Sequence, residues 1–144
     1  MTQLFEATTI KSMTLPNRFV RSATYSGMAR ADGSVTSKMI DLMVTLAKGN
    51  VGLIISAYAY VLPEGAMHPR ALGIYSDTLI PGLRKMVDAV HRVHGKIVIQ
   101  IAHGGAQART RQYTGKNLTG PSEIMRCDGE PVTAMTQEEI QRVI

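Results

Sequence analysis

Two apolar runs without polar alternation, Val51-Gly52-Leu53-Ile54-Ile55 and Ile97-Val98-Ile99, constrain the fold of this chain more than any other feature. A strand with one wet face alternates apolar and polar residues. A continuous run instead belongs to a strand covered on both faces, the situation of a parallel sheet packed under helices. Each run is preceded by a helical pattern. Thr36 or Ser37 can cap a helix whose apolar positions Met39, Ile40, Met43, Leu46 and Ala47 recur every three or four residues. Gly49-Asn50 stops it in the left-handed conformation that Gly and Asn tolerate. Asp77 or Thr78 caps the second helix, which carries Pro81 early and Ile80, Leu83, Val87 and Val90 on one face, and which ends at Gly95.

The regions before and after complete the reading. Thr8 to Met13 with Leu15-Pro16-Asn17 predicts a short hairpin turning at Pro16-Asn17, Arg18 to Thr24 a strand, and Asp32-Gly33 a turn. Strand, helix, strand, helix, strand implies right-handed parallel βαβ units, so the fold class is α/β. Residues 104–135 read as a long Gly/Thr/Pro-containing connection. Thr136-Gln137-Glu138-Glu139-Ile140 then has the form of a capping box opening a third helix. No Gly, Asn or Pro stops that helix before Ile144, and three parallel strands cannot close a barrel. The expectation is a single region over 1–144, the front part of a longer protein cut in its third helix; the alternative is a small natural α/β domain.

Composition excludes several classes. With 144 residues, 44% hydrophobic and 19% charged at a mean hydropathy of +0.00, the chain is neither disordered nor fibrous. The longest apolar runs fall far short of the roughly 20 residues of a membrane helix, and the start MTQLFEATTI is no signal peptide. A cytoplasmic location without membrane contact is expected. The one cysteine, Cys127, excludes an internal disulfide and a cysteine-rich zinc site. The net charge of +5 divides into six Lys/Arg against three Asp/Glu over 1–50, five against three over 51–100, and five against five over 101–144. Arg109, Arg111 and Lys116 with Tyr113 make too thin a cluster for nucleic acid and read as a solvated loop.

Ligands of parallel α/β folds bind where strands end at their carboxyl side. Here those places are Ser22-Ala23-Thr24-Tyr25-Ser26, Ser56-Ala57-Tyr58-Ala59-Tyr60 and Gln100-Ile101-Ala102-His103-Gly104-Gly105. Their small residues allow a flat ligand to approach the backbone, and the Gln100 amide offers one acceptor and two donors to an imide edge. Gln100 equally suits a purely structural role at a strand end. His103 reads as a hydrogen-bonded loop anchor, His91 and His94 as helix C-terminal residues, and His68 as a loop residue without a local ligand partner. Met39, Met43 and Met86 fill the core. Gly104-Gly105 lacks both the dinucleotide fingerprint and the Walker pattern.

Taken in order, Leu15-Pro16-Asn17-Arg18-Phe19-Val20-Arg21-Ser22-Ala23-Thr24-Tyr25, Asp32-Gly33, Gly52-Leu53-Ile54-Ile55, Gly73-Ile74-Tyr75-Ser76-Asp77, Gln100-Ile101-Ala102-His103-Gly104-Gly105, Gly120-Pro121-Ser122 and Thr136-Gln137-Glu138-Glu139-Ile140 resemble the N-terminal part of the Old Yellow Enzyme family of FMN-dependent NADH:flavin oxidoreductases. The resemblance implies about three βα units of a (β/α)₈ TIM barrel with FMN over its C-terminal mouth. It implies hydride transfer from NADH or NADPH to the flavin and onward to an electron-poor alkene or similar small molecule, in a homo-oligomeric enzyme. By position, Ser22, Ala23, Thr24 and Tyr25 would line the flavin, Tyr58 would contact it, and Gln100 would bond its pyrimidine edge. Tyr25 stands where many members carry Thr or Cys, and Tyr58 where a small residue is usual. Gly27, Ala57 and Ala106 likewise replace a Tyr of some members, an acidic residue and an Arg. The family's substrate-binding His-His or His-Asn pair, its proton-donating Tyr and its FMN-phosphate ligands belong to later strands, so no catalytic residue and no metal ligand is assigned within 1–144. The isolated chain is expected to be inactive, with an exposed strand edge that promotes self-association. A non-enzymatic interaction domain or part of a phosphosugar TIM-barrel enzyme are the rival readings.

Overall fold

The computed structural model describes residues 3–109, 115 and 117–144; the sequence-predicted basic cluster therefore keeps only Arg109, with Arg111, Tyr113 and Lys116 outside the described residues. The chain opens with an antiparallel hairpin of β1 (Thr8–Ile10) and β2 (Met13–Leu15), Thr8 opposite Leu15. Its turn lies at Lys11-Ser12, with Lys11 at φ 51, and not at Pro16-Asn17. Asn17 is instead 1% exposed and anchors the segment: Nδ2 donates to the Asn50 carbonyl at 2.7 Å, and Oδ1 accepts from the Phe19 N–H at 3.0 Å. A buried amide needs such partners, and here they fasten the hairpin's exit to the end of the first helix.

The central sheet is parallel throughout. β3 (Val20–Arg21) is shorter than the predicted Arg18 to Thr24, pairing only Val20 with Leu53 and Arg21 with Ile54. Beyond that point the Ile55 carbonyl is occupied by Arg21's own guanidinium, Nη1 donating at 2.9 Å. α1 (Ser37–Lys48) follows, capped by Thr36, whose Oγ1 accepts from the Met39 N–H, and it buries Met39, Met43 and Ala47. At its end the left-handed residue is Asn50, at φ 62, while Gly49 keeps φ −74.

β4 (Leu53–Tyr60) extends the predicted strand to eight residues and is buried along almost its whole length. β5 (Leu72–Gly73) runs parallel beside its end, opposite Ala59 and Tyr60. A 3₁₀ turn at Asp77–Leu79 then leads into α2 (Ile80–His91). The capping side chain serves the 3₁₀ turn and is Ser76, one residue ahead of the expected Asp77 or Thr78, its Oγ accepting from the Thr78 N–H at 3.3 Å; α2 itself starts after Leu79 without a side-chain cap. β6 (Ile97–Ala102) pairs parallel with the other side of β4. Unlike β4 it is not enclosed: Val98, Ile99 and Ile101 are 39%, 38% and 63% exposed. Among the described residues β6 pairs with β4 alone.

The long connection contains structure that its composition did not reveal. β7 (Leu118–Gly120), β8 (Ile124–Met125) and β9 (Pro131–Ala134) form a small sheet in the order β7-β9-β8. Strands of two to four residues with one wet face carry too little periodicity to be read. α3 (Gln137–Val143) opens with the expected capping box: the Thr136 N–H donates to Glu139 Oε2 at 2.8 Å, and the Glu139 N–H to Thr136 Oγ1 at 3.2 Å.

Helices α1 and α2 pack on one face of the sheet. Met39, Met43, Ala47, Met86 and Val90 meet Ile54, Ala59 and Leu72 there. The opposite face carries a second cluster of Tyr58, Tyr60 and Ala71, with Ala102 beside it. A bulge makes this division. Ile55 pairs with Val98 and Tyr58 with Gln100, so β4 spends one residue more than β6 over the same stretch. Strict alternation from Ile54 would send Tyr58 to the helices; the extra residue sends Ala59 there and turns both tyrosines to the other face.

Candidate functional site

The carboxyl ends of β4 and β6 lie side by side, Tyr60 opposite Ala102, whereas β3 stops earlier, with Arg21 opposite Ile54. The register places Tyr58 directly beside Gln100 on adjacent parallel strands, hence on the same face of the sheet. Gln100 is exposed and Tyr58 is 7% exposed. Ser22, Ala23, Thr24 and Tyr25 follow β3 outside any regular element, Ser22 and Thr24 exposed and Ala23 half-buried. Thr24 Oγ1 donates to the Ser22 carbonyl at 3.1 Å, and Arg21 reaches the carbonyls of Ser22 and Thr24 at 3.4 Å each while holding Ile55. One planar guanidinium with several fixed donors thus ties this irregular segment to β4.

The segment between β4 and β5 crosses over these strand ends as a strap. The Gly104 N–H donates to the Gly65 carbonyl, the Arg109 N–H to Ala66 and the Ala29 N–H to Arg70, at 2.8, 3.0 and 3.2 Å. Tyr25, 40% exposed, donates its hydroxyl hydrogen bond to the Pro69 carbonyl and stacks its ring on His68, centroids 4.6 Å apart at 25°. The Tyr58 hydroxyl lies 3.4 Å from His68 Nδ1. Of the sequence-predicted residues, the structure therefore joins Tyr58 to Gln100 by strand register and Tyr58 to Tyr25 through His68. Sequence reasoning had set His68 aside as a loop residue, and it had no role for Arg21. An arginine at the end of an otherwise apolar strand was a usable signal for the latter; a histidine within a Pro/Gly-bearing loop offered none.

Electrostatics follow burial. Desolvation pushes the Tyr58 hydroxyl above its ordinary range. Tyr60 is pushed up to about 12, first by burial and then by the neighbouring Tyr75, on which it stacks at 5.4 Å, and by Asp32. Both phenols stay protonated at neutral pH. His103 has its pKa lowered by burial, against an opposing pull from Glu64. Its Nδ1 accepts from the Gly105 N–H at 3.1 Å, the loop-anchoring role expected for it. Among the described residues no three His, Cys, Asp or Glu side chains converge in a way that could hold a metal ion. No helix among them is long and apolar enough to cross a membrane.

Known proteins share this fold. The chain is 36% identical over 144 residues to an NADPH dehydrogenase of Halalkalibacterium halodurans, covering 99% of the chain and 41% of that protein. It is 30% identical over 142 residues to a probable NADH-dependent flavin oxidoreductase of Bacillus subtilis, covering 98% of the chain and 38% of the relative. The chain thus spans about two fifths of the length of these relatives. Among solved structures, an Old Yellow Enzyme homologue from Zymomonas mobilis superposes with a TM-score of 0.86 at 26% identity, over 98% of this chain and 42% of that one. The parallel order β3-β4-β6 with α1 and α2 on one face is accordingly the first part of a TIM barrel. The profile of one family matches residues 3–144, and the chain belongs to it: the NADH:flavin oxidoreductase / NADH oxidase family.

Proposed function

We propose that the protein containing this chain is an FMN-dependent oxidoreductase that takes hydride from NADH or NADPH and delivers it to an electron-poor alkene or similar small molecule. The observation that carries this reading is the position of Gln100. Its exposed amide stands at the carboxyl end of β6, beside Tyr58, in a chain of the flavin oxidoreductase family.

The donor set suits a flavin. A carboxamide supplies the paired donor and acceptor that a pyrimidine edge requires. The small residues Ser22, Ala23 and Thr24 present backbone groups to a flat ring, and the hydroxyl of Ser26, in the same segment, is buried without a protein partner. FMN bound there would supply the hydride chemistry, which no protein side chain can. The residues of this chain bind and orient it: Gln100 holds the pyrimidine edge, Ser22 to Tyr25 line the ring, and Tyr58 closes the β4 side as a neutral phenol. The groups that bind substrate and donate its proton come from outside residues 1–144, so the isolated chain is without catalytic activity.

The test is expression of the longest reading frame that contains this chain. A yellow protein that releases FMN on heat denaturation, and whose flavin is bleached anaerobically by NADH or NADPH, is the expected result. In that protein Gln100→Ala weakens FMN binding. A colourless protein that neither binds FMN nor reduces it would overturn the reading, and binding of a sugar phosphate by that colourless protein would favour the phosphosugar alternative.

A further inference from the structure

We infer that His68 is a positioning residue of the proposed flavin site, coupling Tyr25, past the end of β3, to Tyr58 of β4 so that the Tyr25 ring does not lie free across the site. The inference rests on the flavin reading above. It concerns the two positions, Tyr25 and Tyr58, at which this sequence carries a large ring where the family resemblance implies a smaller side chain.

Tyr25 lies past the last residue of β3, where no strand pairing holds its backbone, and its ring is 40% exposed. A ring in that setting exchanges rotamers on the picosecond to nanosecond scale unless something holds it. Two contacts hold it, and both come from the strap between β4 and β5. The hydroxyl donates to the Pro69 carbonyl, and the ring stacks on the imidazole of His68 at 4.6 Å and 25°. The same imidazole meets Tyr58 from β4, with Nδ1 3.4 Å from the hydroxyl and the ring centroids 6.3 Å apart. This polar contact persists in either protonation state with the donor reversed: the hydroxyl donates to a neutral ring nitrogen, or a protonated ring donates to the hydroxyl oxygen.

The strap itself is tied to the segments following β3 and β6 by the backbone bonds of Ala29, Gly104 and Arg109. His68 is therefore held on a fixed arch and draws both tyrosines toward it. Gln100, Ser22 and Thr24 remain exposed beside them. Without the imidazole, a flavin would have to order the exposed Tyr25 ring as it binds, and ordering a side chain weakens association.

Two measurements on the full reading frame test this. The first needs no flavin: the His68 Hε1 proton resonates upfield in the ring current of Tyr25, and Tyr25→Leu moves it downfield. The second is FMN affinity by flavin fluorescence quenching. His68→Ala is expected to weaken binding up to about tenfold, the factor implied by re-ordering the freed Tyr25 ring, and to shift the visible band of the bound flavin. His68→Phe keeps a stacking ring and recovers most of the affinity. If the parent protein binds FMN and His68→Ala binds it equally well with an unchanged spectrum, the inference falls while the flavin reading stands. If the parent binds no FMN although the Tyr25 ring-current shift is present, the flavin reading falls and takes this inference with it.

Discussion

Gly52 lies against Asn17 so closely that a Cβ added to it would stand 2.5 Å from the Asn17 Oδ1 and 2.6 Å from the Asn17 carbonyl oxygen. The two residues are 35 positions apart in sequence, yet each explains the other. Asn17 is buried to bind the Asn50 carbonyl and the Phe19 N–H, and only a residue without a side chain leaves room for it at the start of β4. Gly52→Ala is therefore expected to lower stability by about 2 kcal/mol, as overpacking against backbone does. Asn17→Ala strips the Phe19 N–H of its partner and costs about 1–3 kcal/mol. Urea unfolding monitored by circular dichroism checks both. The double variant should recover only part of the Gly52→Ala loss, because the Asn17 backbone oxygen remains.

Arg21 is the next point of leverage. Its guanidinium serves the carbonyls of Ile55, Ser22 and Thr24 together, a task the single ammonium of Lys cannot reproduce. Arg21→Lys is expected to cost about 1 kcal/mol of stability and to weaken FMN binding several-fold by loosening Ser22 to Tyr25. Unchanged flavin affinity alongside lowered stability would separate Arg21 from the site.

Acid sensitivity should pass through His103. Its folded-state pKa lies below the ordinary histidine value of 6.5 because burial disfavours the charged ring. The unfolded chain then binds a proton at higher pH than the native one. Stability is full above about 6.5 and declines as pH falls from there through the folded pKa. His103→Asn, whose side-chain oxygen can take over acceptance from the Gly105 N–H, should flatten this part of a plot of Tm against pH.

At the alkaline end the buried Tyr60, raised to about 12, works the other way. The unfolded phenol ionises near 10 and the native one does not, so stability drops as pH rises through the window between them. Ultraviolet titration should show Tyr60 ionising only well above pH 10, and Tyr60→Phe should remove the alkaline loss attributable to this residue.

The exposed edge of β6 predicts association of the isolated chain. Val98, Ile99 and Ile101 lie open beside a row of backbone groups with no partner strand among the described residues. Size-exclusion chromatography of residues 1–144 should show concentration-dependent oligomers, and Ile101→Lys should shift them toward monomer. A clean monomer that unfolds cooperatively would count against it.

The amino-acid sequence by itself determined the parallel βαβ order, both long helices and the capping box at Thr136, narrowed the first cap to Thr36 or Ser37, and pointed to the strand ends at which a ligand would sit. These are local properties: apolar period and capping chemistry act within a few residues, so they can be read within a few residues. The motifs also sufficed to indicate the family. Tertiary structure alone decided which way the site faces. The bulge between Ile55 and Tyr58 exists only as a mismatch with β6, and it is what turns Tyr58 and Tyr60 away from the helices. The short β3 depends on an arginine reaching across to Ile55, and the meeting of Tyr25, Tyr58 and His68 on a strap folded over two strands. Such contacts join residues tens of positions apart, and no local pattern encodes the path by which the chain returns to make them.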